Sequence, residues 1–407
     1  MSSSSADGAP TAVACISVSS ALGGSEWCLL DFLRHAERHG IRAALLVPKT
    51  GPLLEEAERL GLPAAVAEAP EELLALSQRG GPGLAAAPAL LRGLNRWAAA
   101  IRRESLRLFG AVPLLYSNGF KAHLATALVR GGPRVWHLHE FPPEGLGVVW
   151  RLIAGLLPTA TIANSRAVAQ AWRTLLGSAP TVVLNGVDLD RFRPAPRTFW
   201  LHDQIDLPRE CRLVGMPAIF ARWKGHALVV EAFERAAATV PGAHLVLAGG
   251  AIYDTAAERG FAEELVRRVR RSSIAGAAPR PLSDRIHFVR HTREPWRLYP
   301  EFDVTIHFST RPEPFGRVVA ESLACGVPPI AARAGGPVEI IEDGRTGWLV
   351  TPGDVGELAD AMTHALTLPA TEAETIGRAG RAAAEQRFSA ERFAAEVAAT
   401  LRRAAAA

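Results

Sequence analysis

Between Asp303 and Pro328 the chain reads Asp303-Val-Thr-Ile-His-Phe-Ser-Thr-Arg-Pro-Glu-Pro-Phe-Gly-Arg-Val-Val-Ala-Glu-Ser-Leu-Ala-Cys-Gly-Val-Pro328. The apolar run Val304–Phe308 reads as a buried strand, and Val318, Val319, Leu323 and Ala324 then line one side of a helix. Pro314 suits the first helical position. A strand running into a helix places the joint at the carboxyl edge of a parallel sheet, where open α/β folds bind ligands. Glu313 stands at that mouth and Glu321 eight residues on, a separation of roughly 12 Å along a helix axis. That is about the span of a sugar diphosphate with its ribose. The free amides around Phe315, Gly316 and Arg317 offer an anion site between the two carboxylates.

The same alternation of short apolar runs and helical stripes extends in both directions. Strands are expected near Ala12–Val18, Ala43–Val47, Pro113–Tyr116, Arg134–Leu138, Thr159–Ala163 and Thr181–Leu184. After a break rich in proline and charge they resume near Arg212–Gly215, His244–Ala248, Arg285–Val289, Val304–Phe308, Pro329–Ala332 and Trp348–Val350. Repeated strand–helix units predict parallel sheets wrapped on both faces. The expected architecture is α/β, with two Rossmann-like doubly wound domains facing a cleft. Their bounds are 1–195 and 212–387, with a linker at 196–211 held irregular by its prolines. The alanine-rich stretch 388–407 is expected to be a helix that crosses back to the N-terminal domain. Ser272–Ser283 reads as a surface loop.

Further residues stand where chemistry is expected. Gly23-Gly24 follows the first strand and opens a helix, so backbone there can approach a phosphate. It lacks the GxGxxG spacing and acidic ribose partner of a dinucleotide site. Arg222 and Lys224 follow the first strand of the second array, where a cation can neutralise a pyrophosphate leaving group. His137 and His139 end the strand Arg134–Leu138, two apart and on one side. A His-x-His zinc site lacks an adequate third ligand. Asp188-Leu-Asp190 mimics a metal clamp, but its place after Asn185-Gly186 reads as a turn. No catalytic metal or other cofactor is expected.

Taken together, Gly23-Gly24-Ser25-Glu26, Asn164-Ser165, Asn185-Gly186-Val187-Asp188, Trp223-Lys224-Gly225, the Glu-x7-Glu element and Gly335-Gly336-Pro337 through Gly344-Arg345-Thr346-Gly347 resemble the retaining family 4 glycosyltransferases of GT-B fold. The resemblance runs from about Ile16 to Arg387. It implies transfer of a sugar from a nucleotide-sugar donor to an acceptor such as a glycan, glycolipid or natural product. It implies catalytic roles for His139, Glu313, Lys224 and Arg222, and donor contacts for Gly23, Gly24, Phe315, Gly316, Arg317 and Glu321. The family places its arginine about five residues before the lysine, where this chain has Ile219, so Arg222 departs from the pattern. A nucleotide-sugar 2-epimerase, or a non-catalytic protein binding sugar nucleotides or glycans, shares the architecture.

Composition agrees with an enzyme: 407 residues, 48% hydrophobic and 21% charged, enough for two cores and incompatible with a largely disordered chain. A net charge of +4 suits anionic ligands without requiring nucleic acid. Four scattered cysteines, Cys15, Cys28, Cys211 and Cys325, read as buried or free thiols in a reducing compartment. Met1–Pro10 lacks the pattern of a signal peptide, and Gly145–Ala163, the most apolar later window, is interrupted by Arg151 and Pro158. A cytoplasmic protein is expected. Arg92, Arg96, Arg103 and Arg107 recur along Leu90–Phe109, which reads either as a basic amphipathic helix at the inner face of a membrane or as a solvated helix face.

Overall fold

A computed structural model describes residues 9–75, 87–142, 158–250, 256–271, 273–274 and 280–407. The chain divides into two units, one of Met1–Gly186 with Ala390–Ala407 and one of Val187–Ser389.

Among the described residues the first unit holds seven parallel strands: β1 (Thr11–Ser17), β2 (Ile41–Val47), β3 (Ala64–Val66), β4 (Leu114–Asn118), β5 (Arg134–Leu138), β6 (Ala160–Ala163) and β7 (Thr181–Val182). Their order is β3-β2-β1-β4-β5-β6-β7, and every pairing is parallel. Alternation along β1 shows why helices lie on both faces. Val13 and Cys15 pack with Leu29, Leu30 and Phe32 of helix Gly24–Ala36, while Ala14 and Ile16 pack with Trp97 and Ile101 of helix Ala87–Phe109. The first of these faces is completed from the far end of the chain. Phe393, Val397 and Leu401 of helix Ala390–Ala406 are fully or almost fully buried in that core, each stabilising by about 1.5–3 kcal/mol. Arg392 also donates to the Leu184 carbonyl at 2.7 Å.

The second unit holds six parallel strands, β8 (Arg212–Pro217), β9 (Ala243–Gly249), β12 (Ile286–Arg290), β13 (Val304–His307), β14 (Pro329–Ala332) and β15 (Trp348–Val350). They run in the order β12-β9-β8-β13-β14-β15. A small antiparallel pair, β10 (Ser273–Ile274) with β11 (Arg280–Pro281), stands where a plain loop is expected; residue 272 and residues 275–279 lie outside the described set. The segment 196–211 is not wholly irregular either. Its prolines flank, and do not enter, a short helix at Trp200–Gln204, and Leu201 and His202 are fully buried there. Thr198 fastens this segment by donating its amide and hydroxyl to Glu301 Oε1 at 2.9 and 2.8 Å. All four cysteines are buried free thiols. Among the described residues no helix is long and apolar enough to cross a membrane. Residues 1–8 and 143–157, which hold most of the two stretches weighed for targeting and membrane insertion, lie outside the described set.

Candidate functional site

In the second unit two loops at the carboxyl edge are locked together. The loop after β8 forms a 3-10 turn at Arg222–Lys224 that ends on Gly225 at φ +79°. A Cβ on Gly225 would stand 2.0 Å from the Phe308 carbonyl oxygen, so only glycine lets the loops approach. Across this contact the Thr310 amide donates to the Trp223 carbonyl at 2.8 Å. The result carries Lys224 to the loop after β13, where its Nζ donates to Glu313 Oε2 at 2.8 Å. Both side chains are nearly buried, 14% and 13% exposed.

The same carboxylate oxygen takes two more hydrogen bonds, from Ser309 Oγ at 3.0 Å and His307 Nε2 at 3.2 Å. Burial opposes charge on Glu313, but the Lys224 ammonium and the His307 N–H outweigh it and hold the carboxyl well below the usual range. The backbone of Glu313 is fixed as well. It bridges Gly335, whose φ of +72° and missing Cβ leave room for the Glu313 carbonyl, and that carbonyl accepts from the Gly336 amide at 2.8 Å.

This bridge corrects the expected helix start. The helix runs Arg317–Ala324, with Gly316 at φ +94° before it, and does not begin at Pro314. Glu313 therefore lies in a strand-like loop ahead of the helix. Phe315 is buried against Phe388, ring centroids 6.1 Å apart. Glu321 lies on the buried side of the helix, 7% exposed, with both oxygens engaged. Oε1 accepts from Arg317 Nε and Oε2 from the Tyr299 hydroxyl, each at 2.7 Å. Burial, reinforced by the Glu321 charge, pushes the Tyr299 hydroxyl far up, so it remains a donor. Arg317 thus stands as the orienting cation of Glu321.

Arg222 is not brought to the Lys224–Glu313 pair. It is 68% exposed, forks onto Glu264 and lies 5.2 Å over the Phe261 ring. His307, Ser309 and Tyr299 were not anticipated. The signal for the first two was present, since they are two residues apart at a strand end, as His137 and His139 are.

In the first unit, Gly23 precedes the first turn of helix Gly24–Ala36 and its amide donates to Glu26 Oε2 at 3.1 Å. Burial raises the Glu26 carboxyl to about 7, with the Gly23 hydrogen bond opposing and nearby Glu140 adding to the rise. Asn118, at the end of β4, donates to the Ser25 carbonyl at 3.1 Å. His139 stands just beyond β5, partly exposed, its ring 3.9 Å from that of His137. His137 faces inward: it is 1% exposed, and its Nδ1 is 2.5 Å from the Tyr116 hydroxyl. Burial, with His139 and His123 adding repulsion, pushes His137 far down, so it is a neutral packing residue. Asp188 Oδ1 accepts from the Asp190 and Arg191 amides at 3.1 and 3.2 Å, the turn expected of Asp188-Leu-Asp190. Helix Ala87–Phe109 spends its apolar side on the core, where Leu94, Trp97 and Ile101 are buried. Leu91 is left 54% exposed, and the exposed Arg103 and Arg107 both pair with Glu104.

Comparison with known proteins fits both units. Residues 22–191 match the model described as Glycosyltransferase Family 4, and residues 201–383 match Glycosyl transferases group 1. The chain belongs to the family 4 type of the group 1 glycosyltransferases. Its fold is GT-B: Anabaena HepE in complex with UDP-glucose superposes with a TM-score of 0.78 at 26% identity, over 96% of this chain and 99% of that one. Sucrose-phosphate synthase from Thermosynechococcus elongatus shares the fold at 22% identity and a TM-score of 0.73, over 97% and 98% of the two chains. A D-inositol 3-phosphate glycosyltransferase of Mycobacterium tuberculosis is 33% identical over 213 residues, 51% of this chain. The match spans 41% of the length of that relative.

Proposed function

We propose that this chain transfers a hexose from a nucleotide-sugar donor to a hydroxyl acceptor with retention of anomeric configuration. The carrying observation is the near-buried Lys224–Glu313 pair immediately ahead of the N-terminus of helix Arg317–Ala324. In this reading the bond from the sugar's anomeric carbon to the β-phosphate oxygen breaks, and its electron pair stays on the diphosphate. Lys224 and the first amides of the helix stabilise that charge. Glu313 orients the sugar and offsets positive charge at the anomeric carbon. The acceptor oxygen bonds to that carbon, and its proton passes to the leaving phosphate. Glu321, oriented by Arg317 and Tyr299, receives the ribose hydroxyls. Arg222 would need to leave Glu264 to reach the diphosphate.

No metal enters this reaction. UDP-glucose is the first donor to test, because it is the ligand of the Anabaena protein. A polyol phosphate is the first acceptor, after the inositol phosphate in the mycobacterial relative's name. The reading places the protein in the cytoplasm, with any membrane contact made through the arginines of helix Ala87–Phe109. The test is a thermal-shift screen over a nucleotide-sugar panel, followed by product analysis with the stabilising donor. Glu313→Ala and Lys224→Ala should each abolish transfer while remaining folded. Normal turnover in either variant defeats the assignment.

A further inference from the structure

We propose that His307 is a positioning residue for Glu313: with Ser309 it keeps the carboxylate aimed when the donor's diphosphate draws Lys224 away. The inference rests on the sugar-transfer reading above and deepens it. Lys224 cannot be at full strength in two places. Its ammonium lies on Glu313 Oε2, yet the reaction asks it to neutralise a diphosphate. As it leaves, Oε2 loses one of its three donors, and the carboxylate becomes free to follow the lysine toward a like-charged phosphate.

The remaining donors prevent that rotation. His307 is the last residue of β13, its backbone fixed by pairing with Ala331 of β14, and its side chain is only 5% exposed. A carboxylate held ionised can only accept, so His307 Nε2, at 3.2 Å, carries the proton. Its Nδ1 is buried without a hydrogen-bond partner, so the ring makes its hydrogen bonds through Nε2. Ser309 Oγ lies 3.0 Å from the same oxygen and 3.4 Å from His307 Nε2. Both donors come from one strand end, whereas Lys224 arrives from a different loop on a flexible stem. The clamp grips Oε2 and makes no hydrogen bond to Oε1.

The experiment compares wild type with His307→Phe, His307→Gln and Glu313→Ala, using whichever nucleotide-sugar wild type turns over. His307→Phe keeps the ring and removes the donor, and kcat should fall by about 10²-fold, the order expected for misplacing a reacting group. KM for the donor and calorimetric affinity for the free nucleoside diphosphate should change by less than about threefold, since Lys224 is untouched. His307→Gln, whose amide nitrogen reaches the same place, should recover kcat to within about tenfold of wild type. Long-range nitrogen–proton NMR should find His307 of wild type in the Nε2–H tautomer, and Glu313→Ala should alter that signal. Wild-type kcat in His307→Phe alongside an inactive Glu313→Ala overturns the positioning role alone. Full turnover in Glu313→Ala overturns the sugar-transfer reading itself. If His307→Phe fails to fold, an Nδ1–H tautomer in wild type overturns the inference.

Discussion

Lys224 and Glu313 are 89 positions apart in the chain and 2.8 Å apart in space, and the lysine is the only ammonium among the three groups that donate to that carboxylate oxygen. The pairing makes Glu313 acidic: its carboxyl is held well below the ordinary 4.5, against the burial that would raise it. A depressed carboxyl contributes stability that is complete above the unfolded value and is lost as pH falls through the folded one. Lys224→Ala should therefore destabilise the second unit by about 3 kcal/mol at pH 7, as expected for orphaning a buried charge. The deficit should shrink well below pH 4.5, where the unfolded chain also loses its charge. Urea midpoints of wild type and variant across pH measure this; a deficit constant to pH 2.5 would contradict it.

Buried histidines should make the protein acid-sensitive above the pH range in which ordinary carboxylates titrate. Burial, with Lys224 adding repulsion, pushes His226 down from 6.5 to about 3, and burial with His139 does the same to His123. His244 is lowered to about 4, by burial first and then by Arg285. Each stays neutral in the fold, so stability is complete above pH 6.5 and declines as pH falls toward the folded values. For His226 the loss should be about 2 kcal/mol at pH 5. Its ring packs edge-on between Phe220 and Phe261, at 5.2 and 5.8 Å. His226→Phe should accordingly gain stability relative to wild type between pH 7 and pH 5, as followed by chemical denaturation.

Two glycine substitutions with similar backbone angles should differ sharply. Gly225→Ala combines φ +79° with a 2.0 Å approach to the Phe308 carbonyl, while Gly344→Ala combines φ +74° with no atom within 4 Å. The second should cost about 1 kcal/mol of backbone strain. The first must also push the two loops apart, losing at least about 2 kcal/mol more and moving Lys224 off Glu313. Melting temperatures and donor affinity report both effects, and equal costs would refute the close-approach argument.

Contact with anionic lipid should be electrostatic only, because the apolar side of helix Ala87–Phe109 is occupied by the core. Vesicle sedimentation should find any binding present at low ionic strength and lost by roughly 0.3 M salt. The fully buried Trp97 should show no change in emission. Salt-resistant binding would mean that apolar side chains enter the bilayer.

The strands were legible where β-branched and aliphatic residues run together between turn signals. Arg134–Leu138, Pro329–Ala332 and Trp348–Val350 were read to the residue. The strand Ala64–Val66 was missed because three small residues beside Pro63 make no recognisable run. The helix starts at Arg317 and not at Pro314 because Gly335, distant in sequence and unmarked by any local motif, holds Glu313 extended. Glu313 and Lys224 were found from local motifs. Their mutual contact was not, because it depends on two glycine-permitted approaches between segments far apart in sequence. His307 was absorbed into an apolar run, although period-two reasoning already applied to His137 and His139 would have placed it beside Ser309.

The helix Ala390–Ala406 supplies one wall of a core whose other parts are translated first. On the ribosome, the first Rossmann-like half must therefore wait, with an apolar sheet face uncovered, until helix Ala390–Ala406 has emerged. The intervening unit, Val187–Ser389, is contiguous and can mature before the half that precedes it, reversing the usual N-to-C order of domain folding.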